Sequence, residues 1–212
     1  MLRLIANELR EHTPFTTLGA VTGIIIMVII IFGNIPSQVS QTAFYALHPL
    51  HIVLSALTTT AMYKKYGNGK TWVAILIGYT GSIGIATLSD AIIPYLGGAL
   101  LGAKMEFEVP FIETSLMPII RIPKWLLVNP AALVGIIISY WRPTTKFPHL
   151  GHVLLTTWAS LFYFTTFGVA NWVPLLPFIF LFLFLSVWIP VCASDIVFPL
   201  LFVKKKWEPQ HV

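Results

Sequence analysis

Apolar residues fall in six long runs: 18–32, 44–63, 71–96, 125–141, 149–168 and 173–203. Counted against the roughly 20 residues that a helix needs to cross a bilayer, each run reads as a membrane span. The predicted fold is therefore all-α, a polytopic membrane protein of six transmembrane helices. Gly33-Asn34-Ile35-Pro36 breaks the first run, and Lys64–Lys70 is a tight basic turn after the second. Pro94 and Gly97-Gly98 are expected to end the third. Residues 99–124 form the longest linker, with Lys104, Glu106, Glu108, Glu113, Arg121 and Lys124. Residues 1–17 are polar and read as an interfacial helix. The last run is long enough to tilt or to extend past the bilayer. Trp72, Trp125, Trp141, Trp172 and Trp207 stand near span ends, where an aromatic belt belongs.

Composition agrees. Of 212 residues, 57% are hydrophobic and 10% charged, against about 25% charged in a soluble domain. Too few charges remain to build a watery surface, so the solvent is a lipid bilayer. The net charge of +5 lies in short basic runs beside apolar segments, which suits topology determination and anionic headgroups rather than nucleic acid. Arg3 and Arg10, Lys64, Lys65 and Lys70, Arg142 and Lys146, and the tail 204–212 with Lys204–Lys206 would share one face. The loops 33–43 and 169–172 carry no Lys or Arg. The positive-inside rule then puts both termini in the cytoplasm of a cell-membrane protein, with the 99–124 linker outside. The N-terminal run follows Glu8 and Glu11 and lacks a persuasive cleavage site, so it reads as a retained span. The lone Cys192 rules out an intrachain disulfide.

The two halves repeat. Ala20-x-x-Gly23-Ile-Ile-Ile matches Ala132-x-x-Gly135-Ile-Ile-Ile. His48-x-x-His51-x-x-x-Ser55 matches His149-x-x-His152-x-x-x-Thr156, and Ser89-Asp90-x-x-x-Pro94 matches Ser194-Asp195-x-x-x-Pro199. The matches come in the same order, one per span, and define repeats over 18–98 and 125–203. Three spans per repeat force inverted topology, as in transporters. His48, His51 and Asp90 are then expected at the outer face, and His149, His152 and Asp195 at the inner one.

Helical positions three apart lie on one face, so each H-x-x-H can present two imidazoles to one point. An Asp on the next helix supplies an oxygen or an acceptor that fixes the ring tautomer. All six residues are candidate metal ligands, and no catalytic residue is assigned. The bland readings are specific. A histidine at a span end ordinarily hydrogen-bonds a headgroup, and Ser-Asp before Pro can cap a helix break. Ser55 and Thr156 suit back-bonding to a carbonyl, and Cys192 suits a small packed position. An acid within a span nonetheless faces a cavity or partner by default. No P-loop, G-x-S-x-G, H-E-x-x-H or C-x-x-C-H motif occurs.

His48, His51, His149 and His152 at span starts, with weaker similarity at Asp195–Pro199, resemble the CtaG-like family of cytochrome oxidase assembly factors. They also resemble related archaeal membrane proteins of similar size. The resemblance implies polytopic helices, copper handling and a haem–copper oxidase as client. The leading expectation is a transition-metal protein, with copper first, that assists a respiratory complex. Three alternatives stay open. One is b-type haem binding or an accessory role in an electron-transfer complex, although two imidazoles on one helix cannot take opposite faces of one haem. A second is an inverted-repeat transporter, which needs its site at mid-membrane. The third is an intramembrane zinc hydrolase, because His51-x-x-x-Ser55, Asp90 and a later His pair are similar to ceramidase-like enzymes.

Overall fold

The computed structural model describes the backbone of residues 2–66, 70–115, 122–141, 146–192 and 197–203, and their side chains except 2–9, 11–12, 66, 146–150 and 192. The helices are α1 (Leu2–Phe32), α2 (Ser37–Tyr66), α3 (Thr71–Thr87), α4 (Ile93–Leu100), α5 (Lys124–Trp141), α6 (Lys146–Phe167), α7 (Leu176–Cys192) and α8 (Phe198–Leu201). A π-helical turn, Leu88–Ile92, joins α3 to α4, and a 3₁₀ turn, Val173–Leu175, leads into α7. Among the described residues, four stretches are long and apolar enough to cross a membrane: Thr13–Phe32, Thr71–Leu100, Lys124–Trp141 and Val173–Val191.

α2 and α6 are absent from those four for a physical reason. They are the inner helices. Residues 55–61 of α2 are buried all round and include Ser55, Thr58, Thr59 and Thr60. α6 buries His152, Thr156, Thr157 and Ser160. The lipid-facing apolar surface belongs to their neighbours, through residues such as Leu18, Ile25 and Ile29 on α1 and Leu133, Val134 and Ile137 on α5.

Residue pairs fix the helix directions. α2 and α6 are antiparallel, with Phe44 against Tyr163 and Phe167, and His51 against His152. α2 and α5 are parallel, with Lys124 over the Tyr45 ring at one end and Lys64 over the Tyr140 ring at the other. α7 is antiparallel to α1, with Thr13 at Trp188 and Gly23 beside Leu183, and antiparallel to α6, with Val153 beside Val187 and Val191 and Phe164 against Trp172, so α1 and α6 run parallel. Gly135 lets α5 settle on α2, since a Cβ there would strike the Val53 carbonyl and Ala56. Two short strands, β1 (Lys104–Met105) and β2 (Gly168–Val169), pair antiparallel and tie the long linker to the end of α6.

Several expectations change. The Gly33-Asn34 break is present: Asn34 adopts φ 48°, and Ile35 N–H returns to the Ile30 carbonyl as a helix stop. α2 then begins at Ser37, a full turn and more before the apolar run at 44. Pro49 is inside α2, and its missing N–H withdraws a bond from the Tyr45 carbonyl. The third span continues through Gly97-Gly98 to Leu100. Those glycines stop nothing because they admit the Phe182 and Met105 side chains. The interfacial segment 1–17 is continuous with the first span, since α1 runs unbroken past Pro14. The tail 204–212 lies outside the described residues.

Candidate functional site

His48 and His51 are one helical turn apart on α2, and both are fully buried. His51 stands 14 residues after Ser37 and 15 before Tyr66, so about 21–23 Å of helix extends on either side at 1.5 Å per residue. His51 therefore sits near the middle of α2, not at its end.

Asp90 comes to the same point from the π turn. It has zero exposure, and its Oδ2 accepts from both rings, from His48 Nδ1 at 2.8 Å and His51 Nδ1 at 2.7 Å. Oδ1 accepts from Ser89 Oγ at 2.7 Å. The local sequence explains the turn. In π bonding a carbonyl pairs with the N–H five residues on, and five after Ser89 is Pro94, which has none. The orphaned Ser89 carbonyl accepts instead from Ser160 Oγ of α6 at 2.9 Å. Pro94 thus opens the turn that carries Asp90, and Ser160 closes the hydrogen-bond account.

His152 joins them. Its ring centroid is 4.5 Å from that of His51, at an interplanar angle of 44°. This overturns the expected separation into an outer and an inner constellation. His51 stands near the middle of α2 and His152 six residues after the start of α6, and the antiparallel packing of the two helices brings these positions together. His48, His51, Asp90 and His152 form one cluster. His149 lies one turn before His152 on α6, but its side chain is outside the described residues, as is Asp195 altogether.

The cluster is hydrogen-bonded as it stands. Among the described residues, no three His, Cys, Asp or Glu side chains surround one point as an ion's ligands. Asp90 sits behind the rings, in the place of the carboxylate that orients a metal-binding histidine. With Nδ1–H donated to Asp90, a neutral ring presents Nε2 as an acceptor, and the Nε2 atoms of His48 and His51 are buried with no partner among the described residues. Such atoms suit a cation. The described cluster also holds one carboxylate charge, costly at this depth unless offset.

Aromatic rings close the cluster on one side. Phe44 stacks on His48 at 5.2 Å and meets Tyr163 and Phe167 edge-on. Above them the Tyr163 hydroxyl accepts from the Glu108 N–H at 2.9 Å, and Lys124 Nζ donates to both Glu108 oxygens at 2.6 and 2.8 Å. Sequence reading missed this cap. Both ends of the ion pair belong to the linker region, and only the fold of residues 103–115 over the bundle brings them together. No family model, curated protein or solved structure matches the chain.

Proposed function

We propose that the chain is a membrane protein that binds a transition-metal ion, copper first, at the centre of its helical bundle. The observation that carries this reading is the pair of buried Nε2 atoms that have no partner among the described residues, on rings whose Nδ1–H groups share one Asp90 oxygen. Imidazole suits copper, and the single positive charge of copper(I) balances the one carboxylate of the described cluster. His48 and His51 would hold the ion through their Nε2 atoms, with Asp90 behind them and His152 beside His51. Haem is disfavoured, because rings 4.5 Å apart leave no room for a porphyrin between His51 and His152.

The same proposal includes six crossings as two inverted repeats, with both termini cytoplasmic. Three features support it. Parallel contact of α1 with α6 is matched by that of α5 with α2, and Gly23 near Thr157 is matched by Gly135 near Ala56. Val197 is π-helical just before α8, which starts at Phe198-Pro199. Ile92 ends the first π turn just before Ile93-Pro94 in the same register. The His51–His152 contact then lies where a pseudo-two-fold axis in the membrane plane would pass. A respiratory oxidase as recipient of the copper is the outermost part of the proposal and rests on the family resemblance.

A second reading has one observation behind it. Three histidines, Asp90 and serine hydroxyls gather at one site, and catalytic zinc commonly takes three protein ligands and a water. Zero exposure of His48, His51 and His152 denies a substrate entry, which favours binding over hydrolysis. Metal analysis of the purified protein, wild type against His51→Ala, tests both. Copper in the wild type that is lost in the variant supports the first reading, zinc turns it to the second, and equal metal content in the two proteins removes both.

A further inference from the structure

Pro94 orphans a backbone carbonyl however the junction of α3 and α4 is hydrogen-bonded. In α bonding a carbonyl pairs with the N–H four residues on, and the Asp90 carbonyl would meet Pro94. In π bonding the partner is five residues on, and the loss falls on Ser89. The junction takes the second course, with Ile93 N–H on the Leu88 carbonyl and π geometry over Leu88–Ile92. The π form is the rarer one, so a neighbour must favour it here.

That neighbour is on α6. Ser160 has zero exposure, and its Oγ donates to the Ser89 carbonyl at 2.9 Å. It serves the carbonyl that π bonding strands. A buried carbonyl without a donor is costly, so this one bond weights the choice of register. Ser160 Oγ is also 2.9 Å from the Thr156 carbonyl of its own helix. One hydroxyl proton is shared between two acceptors, and the turn can be released without stranding Ser160.

Register decides where Asp90 points. A π turn holds one residue more than the α path, and removing it would rotate α3 against α4 by about 100°, the angle of one residue. Neither helix is free to turn. Gly78 of α3 lies against the Thr60 side chain of α2, and Gly97 of α4 takes the Phe182 ring of α7. The rotation therefore falls on the residues between them, and Asp90 is in the middle of the turn. A chain of hydrogen bonds follows. Ser160 Oγ donates to the Ser89 carbonyl, Ser89 Oγ donates to Asp90 Oδ1 at 2.7 Å, and the His48 and His51 rings donate to Oδ2.

We infer that Ser160 is a positioning residue of the site: its hydroxyl selects the π register of the 88–92 turn and so holds Asp90 on the His48 and His51 rings. The consequence for metal binding rests on the reading above, and the choice of register does not. α6 then contributes twice, with His152 beside His51 and Ser160 behind the turn that carries Asp90.

The test compares the full chain as wild type, Ser160→Ala, Ser160→Thr and Ser186→Ala in detergent. Ser186 is a buried serine of α7 that back-bonds to the Leu183 carbonyl, and it controls for the loss of any buried hydroxyl. Proton NMR of the metal-free protein, with isotopically labelled histidine nitrogens, reads ring N–H groups bonded to the carboxylate as downfield signals, assigned with His48→Ala and His51→Ala. Copper(I) affinity is measured by competition with a coloured chelator. Ser160→Ala should lose the ring signals and bind copper(I) about 10–100-fold more weakly, as when an orienting carboxylate is lost. Ser160→Thr and Ser186→Ala should keep both. Wild-type ring signals in Ser160→Ala overturn the inference, as does an equal loss in Ser160→Thr. If Ser160→Ala does not fold, Pro94→Ala is added to give the Ser89 carbonyl a backbone N–H. A double variant that folds supports the orphan carbonyl as what Ser160 serves, and one that does not fold overturns it. A wild type that binds no copper removes the metal reading, and the ring signals still decide the register.

Discussion

Asp90→Asn separates the charge of the cluster from its shape. The carboxylate makes three hydrogen bonds, two from ring Nδ1–H groups to Oδ2 and one from Ser89 Oγ to Oδ1. An amide of the same size can turn its oxygen to the rings and its NH2 to Ser89. The Ser89 hydroxyl then accepts while keeping its own donor for the Ala86 carbonyl, 3.4 Å away. Ring orientation is expected to survive, and so is the fold. Asp90→Ala would instead strand two buried N–H groups at about 1–3 kcal/mol each, so it cannot tell site from fold. What Asn removes is the negative charge behind the imidazoles. Loss of such an orienting carboxylate function weakens metal binding about 10–100-fold, or roughly 1.4–2.8 kcal/mol. The assay is copper(I) competition on wild type, Asp90→Asn and His51→Ala, beside thermal unfolding of each. Wild-type affinity in Asp90→Asn together with wild-type affinity in His51→Ala would refute the role of the cluster. Asp90→Asn that fails to fold would refute the hydrogen-bond exchange.

Gly135→Ala drives a methyl into the Val53 carbonyl and Ala56, and overpacking of this kind costs about 1–3 kcal/mol. Gly23, which stands in the same Ala-x-x-Gly-Ile-Ile-Ile sequence, meets Leu183 at 3.4 Å and Thr157 at 3.9 Å, so Gly23→Ala should gain up to roughly 1 kcal/mol of helix propensity; unfolding in detergent that ranks them the other way removes the close α2–α5 contact. Lys124→Met leaves the Glu108 carboxylate without its cation. With side-chain exposures of 6% and 19%, the loss should be about 2 kcal/mol, below the roughly 3–5 kcal/mol of a fully buried pair. Adding Glu108→Gln should restore part of the stability, and a double variant as weak as the sum of the singles would argue against pairing. Cysteines placed one at a time over 34–38 should react with an impermeant reagent from outside intact cells, and those at 65 and 70 should not; the reverse pattern would invert the proposed topology.

The polar residues of the cluster were legible because histidine and aspartate stand out in apolar runs. Depth was not. The polar stretch from Ser37 to Thr42 reads as a loop, yet it is the first turn and more of α2, and that error of seven residues moves His51 by about 10 Å along the axis. Its cause is physical. An apolar run marks the bilayer only for a helix that touches lipid. α1 and α7 do so, and the run 18–32 falls within α1 while the run at 173 marks the start of the stretch that holds α7. α2 and α6 are wrapped by other helices, so their hydropathy reports protein neighbours instead of membrane. Seen as lipid-facing, α2 has its histidines at an end and needs two separate sites. As an inner helix it has them at the middle, where one antiparallel partner brings His152 to His51. The same shielding makes Ser55 and Thr59 tolerable on α2. Hydroxyls facing lipid would have to back-bond to their own helix, as exposed Thr80 does to the Leu76 carbonyl.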